Sequence, residues 1–313
     1  MNRLHVALLS GGTSSERDVS LKSGDQVFAA LDKNRYRITR YDPKHDLQKL
    51  VAHAKDIDIA LIVLHGPYGE DGTIQGLLEL LDVPYQGTGV LGSALAMNKT
   101  ASKEIYRLAG LLVPPYLVFD KDSVVPPDEI VDQVGLPAVV KPVEGGSSIG
   151  MSIVKTAADL PQAVQTALQC DDTVLVEKYI RGREVTGGVL GNRELTALPV
   201  VEIIPNEAYE FFDYTAKYTP GATNEICPAR LDDHLTRRVQ ACAKIAHQAL
   251  YCSDYSRTDM IVDGEEIYVL ETNTIPGMTP TSLLPLAAKT AGMDFGQLLD
   301  RLIGLSLERN RKT

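Results

Sequence analysis

The amino-acid sequence predicts a protein of mixed α/β and α+β class that begins with a parallel β-sheet. Residues 1–97 alternate between short apolar runs, glycine-rich turns and segments with helical spacing, a rhythm typical of parallel strands covered by helices. After residue 110 the pattern changes, and strand-like runs flank first a glycine-rich loop and then a hairpin turn. At ~100–200 residues per domain, 313 residues predict two or three domains.

The N-terminal elements follow from local apolar patterns. Leu4–Leu9 is a short apolar run that predicts the first strand, and the β-branched run Asp58–Leu64 predicts a second. Ligands of parallel sheets collect beyond the carboxyl ends of the strands, where the turns Ser10–Arg17 and His65–Thr73 lie. Helical spacing predicts helices over three segments: Val19–Leu31, Thr73–Leu81 and Leu91–Leu108.

The later elements surround two loops. Strand-like runs at Ala138–Pro142 and Met151–Lys155 flank the loop Glu144–Gly150. A further strand is predicted over Thr173–Ile180, and Asp263-Gly264 between two apolar runs predicts a hairpin. Helical patterns occupy three more segments: Asp159–Leu168, Asp232–Leu250 and Asp294–Leu307.

Composition excludes several classes of partner. Lys and Arg number 31 and Asp and Glu number 41, which gives a net charge of −10; nucleic acids and anionic membranes gain nothing from a negative surface. No apolar run approaches the ~20 residues that span a bilayer. The four cysteines show neither a C-x-x-C pair nor metal-ligand spacing. We therefore predict reduced thiols and a cytoplasmic location, with no nucleic-acid or membrane partner.

The loop after the predicted strand at residue 138 has the composition of a phosphate-binding loop. Residues 139–154 read VVKPVEGGSSIGMSIV. Backbone N–H groups and serine hydroxyls of such a loop cradle phosphate oxygens, and Lys141 adds a positive charge. The loop is not a Walker A motif, and no G-x-G-x-x-G follows the first strand. A flexible hairpin tip is the alternative interpretation.

The hairpin near the C-terminus has the polar residues of a cation site. Residues 256–279 read SRTDMIVDGEEIYVLETNTIPGMT, with Asp259 in the first strand and Glu271 and Asn273 at alternate positions of the second. If the loop holds an odd number of residues, such as Asp263–Glu265, these three side chains and that of Arg257 share one face. Three oxygen ligands on a rigid face suit Mg²⁺, which completes its shell with water and phosphates. An outward polar strand face is the alternative.

A third segment has the features of an adenosine-binding connection. In VLVEKYIRGREV, residues 174–185, an apolar strand ends in Glu177. The backbone that follows could pair with an adenine edge, and Glu184 could accept hydrogen bonds from ribose hydroxyls. Strands that end in charged residues are common, so this segment alone does not identify a nucleotide site.

Taken in order, these motifs resemble the ATP-grasp superfamily and, more closely, the D-alanine–D-alanine ligase family. The resemblance covers essentially the whole chain and rests on five segments: GGTSSERDVSLKSG (11–24), LHGPYGEDGT (64–73), GSALAMNK (92–99), FFDYTAKY (211–218) and ETNTIPGMTPTSL (271–283). It implies a three-domain ATP-grasp architecture: an N-terminal parallel-sheet (preATP-grasp), substrate-binding domain (1–97), a central nucleotide-binding domain (98–179) and a C-terminal domain with the metal hairpin and lid (180–313).

The resemblance implies ATP-dependent ligation of two D-alanine molecules through an acyl phosphate, for peptidoglycan precursor synthesis. By the same resemblance, lysines and the glycine-rich loop hold the ATP phosphates, and the connection after residue 176 lines the adenosine site. The residues that match these roles are Lys99, Lys141, Ser147, Ser148, Glu177, Tyr179, Ile180 and Glu184. Asp259, Glu271 and Asn273 match the ligands of two Mg²⁺ ions, with Mn²⁺ as a substitute.

The resemblance also implies roles toward the amino acids. Glu16 binds the first D-alanine's ammonium; its alternative role is a first-turn helix acid. Arg257 and the Gly277 N–H stabilise the oxyanion. Ser282 binds the second substrate's carboxylate. His65 lies beside the substrates, either in proton transfer or bonded to backbone.

The resemblance places a mobile lid over Asp213–Thr223. In it, Lys217 reaches the γ-phosphate and Tyr218 bonds Ser147, which in turn contacts Glu16. Tyr218 favours the dipeptide reaction, because relatives that make the D-lactate ester have a histidine in this region. The chain departs from the common pattern at Phe212, at Tyr179 and in the order Glu144-Gly145-Gly146, which leaves lid closure and nucleotide affinity open.

Other functions fit the sequence less well. A related carboxylate–amine ligase with a different acceptor is the nearest alternative, and a nucleotide sensor without turnover is another. The intact set of charged residues argues against the sensor, and the missing dinucleotide fingerprint argues against a nicotinamide oxidoreductase. The family resemblance also implies a homodimer.

Overall fold

The computed structural model of the protein describes residues 3–123, 125–205 and 223–310. Within these ranges the strands form three sheets, one parallel and two antiparallel. The parallel sheet is N-terminal, as the sequence predicts. Its order is β2-β1-β3, and its strands are β1 Leu4–Leu9, β2 Tyr36–Tyr41 and β3 Ile59–Ile62.

The sequence pattern does not predict β2 or the helix after it. Only the two end residues of β2 are buried, and its centre is half-buried or exposed, so it lacks an apolar run. Three helices accompany this sheet: α1 Arg17–Ala30, α2 Pro43–His53 and α3 Thr73–Leu80. Asp42 caps α2 by accepting from the Lys44 N–H, and Pro43 occupies the first helical position. A short 3₁₀ turn, Ala54–Asp56, follows α2.

One predicted helix is wrong, because Leu91–Leu108 is two helices. These are α4 Val90–Met97 and α5 Lys99–Leu108. Asn98 between them has extended backbone, and its side chain accepts from the Ala101 N–H at 2.9 Å. Asn98 is therefore the N-cap of α5, and the break places Lys99 at the first position of a new helix.

The second sheet is antiparallel and runs in the order β4-β7-β5-β6. Its strands are β4 Tyr116–Asp120, β5 Ala138–Pro142, β6 Ser152–Val154 and β7 Thr173–Lys178. Two helices pack on it, α6 Pro127–Gln133 and α7 Leu160–Ala167, and share one apolar core with it. The loop that joins β5 to β6 is the predicted glycine-rich loop.

The third sheet carries the C-terminal hairpin. Its order is β11-β10-β8-β12-β13, with β9 paired to β8. The long helix α8 Asp233–Ala249 packs against it. The strands are β8 Arg183–Leu190, β9 Thr196–Ala197, β10 Val201–Pro205, β11 Thr223–Ile226, β12 Tyr255–Asp263 and β13 Glu266–Asn273.

The hairpin reaches the predicted arrangement by an unpredicted route. The loop does not hold the odd number of residues on which the shared face was conditioned, because Asp263 pairs with Glu266 and the loop contains two residues. The register then shifts: Met260 lies opposite Val269, whereas Asp259 lies opposite Glu271. Leu270 is the extra residue of this β-bulge. The bulge supplies the odd residue that the loop lacks, so the predicted shared face is confirmed.

Two C-terminal helices pack between the first and third sheets. They are α9 Leu283–Thr290 and α10 Phe295–Asn310, and their apolar residues share one core with residues of β1, β3 and β8. The predicted domain boundaries stay a prediction. All four cysteines carry free thiols. In the described ranges, each helix is too short or too polar to cross a bilayer.

Candidate active site

A cavity of about 570 Å³ lies between the second and third sheets. Apolar side chains from both sheets form part of its wall, among them Val139, Ile153, Ile203 and Leu270. The predicted nucleotide residues also line it, together with two of the predicted metal ligands. These are Lys99, Lys141, Ser147, Ser148, Glu177, Tyr179, Ile180, Glu184, Asp259 and Glu271. The fold therefore gathers into one cavity residues that span 173 positions of sequence, from 99 to 271.

Glu177 at the end of β7 is buried between two lysines. Its Oε1 lies 2.5 Å from Lys141 Nζ and its Oε2 lies 2.7 Å from Lys103 Nζ. Burial opposes ionisation of Glu177, but the two positive charges outweigh burial and hold its pKa below the usual value. No motif in the sequence had pointed to Lys103. Its position one turn after Lys99 on the predicted helix was a signal that could have found it.

Lys99 holds the base of the glycine-rich loop. Its Nζ donates to the Gly145 carbonyl at 2.8 Å, and its backbone N–H donates to the Val143 carbonyl at 3.1 Å. Ser147 and Ser148 in this loop both have positive φ, 54° and 57°, a conformation that is costly for residues with a Cβ. The loop therefore stores local strain at the cavity wall.

Glu16 joins the cavity to the first sheet. Its carboxylate accepts a hydrogen bond from Ser147 Oγ, so the predicted Ser147–Glu16 contact is confirmed. Glycines lie on either side of this carboxylate, because a Cβ added at Gly66 or at Gly146 would be 3.0 Å from Glu16 Oε2. Two glycine-rich loops thus enclose one buried acid.

His65 and Glu70 lie near Glu16 and have opposite pKa shifts. Burial and repulsion from Arg257 lower the pKa of His65 to about 4, so the imidazole is neutral at pH 7. Its Nε2 is buried without a hydrogen-bond partner among the described residues. Burial and then repulsion from Glu16 raise the pKa of Glu70 to about 8. Glu70 was not assigned from sequence, although it lies in the quoted segment 64–73.

The predicted metal ligands converge with Arg257 on the hairpin face. Arg257 donates two hydrogen bonds to Asp259, from Nε to Oδ1 at 3.0 Å and from Nη2 to Oδ2 at 2.9 Å. Asn273 Nδ2 donates to Asp259 Oδ2 at 3.1 Å, and Glu271 lies opposite Asp259 in the register. Two carboxylates and one amide oxygen fit Mg²⁺, which accepts few protein ligands beside water and phosphate.

A denser metal site is not found in the part of the chain that the structure describes, where His, Cys, Asp and Glu form no group of three suited to a metal. The predicted set contains only two carboxylates, so it is a site that phosphate oxygens would have to complete.

Gly277 and Ser282 lie together beyond the end of β13. A Cβ added at Gly277 would be 3.0 Å from Ser282 Oγ. The Ser282 hydroxyl is within 2.8 Å of Thr279 Oγ1, and Ser282 is the residue that precedes α9. Phe212, Lys217 and Tyr218 fall in residues 206–222, outside the described ranges, and so does most of the predicted lid.

Two family models match the chain. The model described as D-ala D-ala ligase C-terminus matches residues 105–304, and the model described as D-ala D-ala ligase N-terminus matches residues 40–88. Together they cover the second and third sheets and β3 of the first sheet, whereas β1 and most of β2 precede residue 40.

Individual relatives are similar to this protein over nearly its whole length. A D-alanine–D-alanine ligase of Syntrophobacter fumaroxidans is 64% identical over 306 residues, 98% of each chain. One of Desulfotalea psychrophila is 53% identical over 99% of this chain and 97% of that protein.

Solved structures agree with this similarity. The Bacillus anthracis D-alanine–D-alanine ligase complexed with ATP superposes with a TM-score of 0.86 at 39% identity, covering 98% of this chain and 99% of that one. The VanG D-Ala:D-Ser ligase of Enterococcus faecalis has a TM-score of 0.84 at 34% identity, covering 97% and 100%. The predicted ATP-grasp fold is confirmed, and the chain belongs to the D-alanine–D-alanine ligase family.

Proposed function

We propose that the protein joins two D-alanine molecules with ATP, releasing ADP and phosphate through an acyl phosphate of the first D-alanine. One observation carries this proposal: Ser147, which lines the nucleotide cavity, donates a hydrogen bond to the buried carboxylate of Glu16. A phosphate-binding loop and an ammonium-binding carboxylate are thereby held next to each other. Ligation needs this proximity, since the phosphoryl group must meet the substrate carboxylate.

At the nucleotide end, Lys99 and Lys141 neutralise phosphate charge at the cavity wall. Asp259, Glu271 and Asn273 would hold two Mg²⁺ ions, with Mn²⁺ as a substitute. When bound, the metal neutralises the charge that develops on the transferred phosphoryl group. The apolar wall and the backbone at Tyr179–Ile180 would receive the adenine.

At the amino-acid end, each residue has one proposed task. Glu16 pairs with the ammonium of the first D-alanine. Arg257, fixed by its two bonds to Asp259, and the Gly277 N–H stabilise the oxyanion that forms on attack. Ser282 binds the carboxylate of the second D-alanine. His65 is neutral at pH 7, so it acts by hydrogen bonding and not as a charge.

The test is ADP release by the full chain. We expect release that requires both Mg²⁺ and D-alanine, with D-alanyl-D-alanine as the product identified by mass spectrometry. The sensor alternative expects nucleotide binding without D-alanine-dependent turnover. A preference for D-lactate or for L-amino acids would overturn the proposed substrate while leaving a carboxylate–amine ligase.

One comparison supports a second candidate acceptor. The D-Ala:D-Ser ligase described above shares this fold at 34% identity, so D-serine is a reasonable second amine. Competition between equimolar D-alanine and D-serine, read as the ratio of the two dipeptides, separates the candidates. We expect D-alanyl-D-alanine to dominate.

We also propose that the protein is a cytoplasmic homodimer that serves peptidoglycan precursor synthesis. The family membership supports this proposal. The net charge of −10 disfavours binding to nucleic acid and to anionic membranes, which agrees with the proposed location. Analytical ultracentrifugation should give a mass near twice 34.0 kDa; a single 34.0 kDa species would contradict the dimer.

A further inference from the structure

Lys103 is a buried cation that the proposed reaction does not use. Its side chain has no exposed surface, and it does not line the nucleotide cavity. Its Nζ lies 2.7 Å from Glu177 Oε2 and 5.9 Å from the centre of the Tyr116 ring. Burying an ammonium group costs desolvation free energy unless another charge compensates it. A buried lysine next to the proposed ATP site therefore calls for a functional explanation.

The contact with Glu177 is electrostatic. Nζ lies 2.7 Å from Glu177 Oε2, so an ammonium group and a carboxylate meet at ion-pair distance. Lys103 therefore brings a positive charge to the one carboxylate oxygen of Glu177 that Lys141 does not contact. Burial lowers the pKa of Lys103 and attraction to Glu177 opposes this shift, so the ion pair is what favours the charged form.

The charges around Glu177 explain what this cation does. Lys141 and Glu177 alone sum to zero, and Glu177 would then neutralise the lysine that faces the phosphates. With Lys103 on the other carboxylate oxygen, the three groups sum to one positive charge. Lys141 and Glu177 line the cavity and Lys103 does not. The net positive charge therefore acts on a nucleotide through Lys141.

We propose that Lys103 is a positioning residue for the nucleotide: it neutralises and fixes Glu177 from behind and thereby leaves the charge of Lys141 available to the ATP phosphates. This inference rests on the proposed function, because it assigns Lys141 to the phosphates. It differs from a packing role, which any apolar side chain of similar length would fill.

The experiment is a double-mutant cycle on Mg-ADP affinity, measured by calorimetry for the wild type, Lys103→Met, Glu177→Gln and the double variant. We expect Lys103→Met to weaken binding roughly tenfold or more, as the loss of a poorly screened unit charge. In the Glu177→Gln background the same substitution should change affinity less than about threefold, because no carboxylate remains to neutralise Lys141. The D-alanine KM should change less than the ATP KM.

Two further variants keep the test decisive. Arg107→Met removes one positive charge from the exposed face of the same helix and should leave Mg-ADP affinity unchanged. Should Lys103→Met fail to fold, Lys103→Gln keeps a polar contact without the charge and should show the same loss. Thermal melting without nucleotide separates folding from binding.

Equal losses in both backgrounds, or a Lys103→Met affinity within threefold of wild type, would overturn the inference. Wild-type turnover is measured in parallel. If the wild type forms the dipeptide but Lys103→Met binds Mg-ADP with unchanged affinity, only this inference is contradicted. Mg-ADP binding with the expected cycle but no dipeptide contradicts only the proposed function.

Discussion

Glu70 shows how the position of one residue sets its chemistry. The residue is half-buried, yet protein atoms surround its carboxyl group, which accepts from the Gly66 N–H at 2.7 Å. Burial and the neighbouring Glu16 raise its pKa to about 8, so at neutral pH most molecules carry a proton there. A second negative charge beside Glu16 is thereby avoided near the proposed ammonium site.

The raised pKa makes the ligand-free protein less stable as pH rises. The folded state holds the Glu70 proton up to about pH 8, whereas the unfolded state releases it near 4.5. The stabilisation from this proton is complete below about pH 4.5 and is lost towards pH 8, at about 1.4 kcal/mol per pKa unit. We expect Glu70→Gln to raise the free energy of unfolding by a few kcal/mol at pH 8.5. At pH 5 the same substitution should change the free energy of unfolding little.

Urea unfolding with EDTA at both pH values measures this difference. Glu129→Gln, on the exposed face of α6, is the control and should be neutral at both values. An equal effect of Glu70→Gln at pH 5 and pH 8.5 would contradict the shift.

Glu271 tests the proposed metal site at the scale of one carboxylate. Glu271→Gln keeps the size and hydrogen-bonding capacity of the side chain but removes a charge that a divalent cation needs. We expect turnover to fall by about 100-fold or more, because phosphoryl transfer depends on charge neutralisation. Steady-state ADP release over a Mg²⁺ titration measures it, with Glu266→Gln at the exposed start of β13 as control. A near-normal rate at saturating Mg²⁺ would reject the assignment.

At the scale of elements, irregularities position the site. The β-bulge at Leu270 turns Glu271 and Asn273 to the face that carries Asp259, which a regular hairpin with a two-residue loop could not do. The break at Asn98 starts a new helix at Lys99, so α5 directs Lys99 and Lys103 towards the loop and Glu177. Each irregularity sets the position of a charged residue in the site, Glu271 after the bulge and Lys99 after the break.

Asn98 should stabilise the protein as a helix cap. Asn98→Ala removes the acceptor of the Ala101 N–H, and we expect a loss of about 1 kcal/mol in the free energy of unfolding. Asn98→Ser, which can still cap, should lose much less. The ATP KM of Asn98→Ala should also rise, because the first turn of α5 holds Lys99. Equal stability of the alanine and serine variants in urea unfolding would contradict the capping role.

At the scale of the whole molecule, the C-terminal helix joins the first sheet to the third. Asp254 is buried and accepts from the Gly87 N–H at 2.8 Å and from Ser306 Oγ at 2.6 Å. Arg309 donates to the carbonyls of Tyr85 and Gly87 and lies 3.6 Å from Asp254. Segments more than 160 positions apart thus meet in one buried polar cluster.

Arg309→Ala should destabilise the whole molecule. It removes two charge-assisted hydrogen bonds and leaves the buried Asp254 without its positive partner, for which we expect a loss of about 2 kcal/mol. Arg301→Ala on the exposed side of the same helix should cost less than about 0.5 kcal/mol. Urea unfolding compares the two, and similar midpoints for both variants would show that the cluster is not stabilising.

Much of the fold was predictable because burial leaves a local signal. β3 is a fully apolar run, β1 is apolar except for His5, and α8 and α10 have clear helical spacing. β2 and α2 were missed because few of their residues face a core. Motifs in the sequence predicted Lys99 and Lys141, which line the cavity, and they are also the basis for the proposed metal ligands. Lys103 and Glu70 were not predicted, since their character depends on neighbours that are distant in sequence.

The sequence by itself determined the class of fold, the family and the residue types that the chemistry requires, because strand and helix periods and motif spacings are local properties. Only the tertiary structure decided how Asp259 comes to face Glu271, which lysine lies behind Glu177, and that Glu70 keeps its proton. These outcomes depend on register, burial and the distance between charges, and such quantities exist only after the chain has folded.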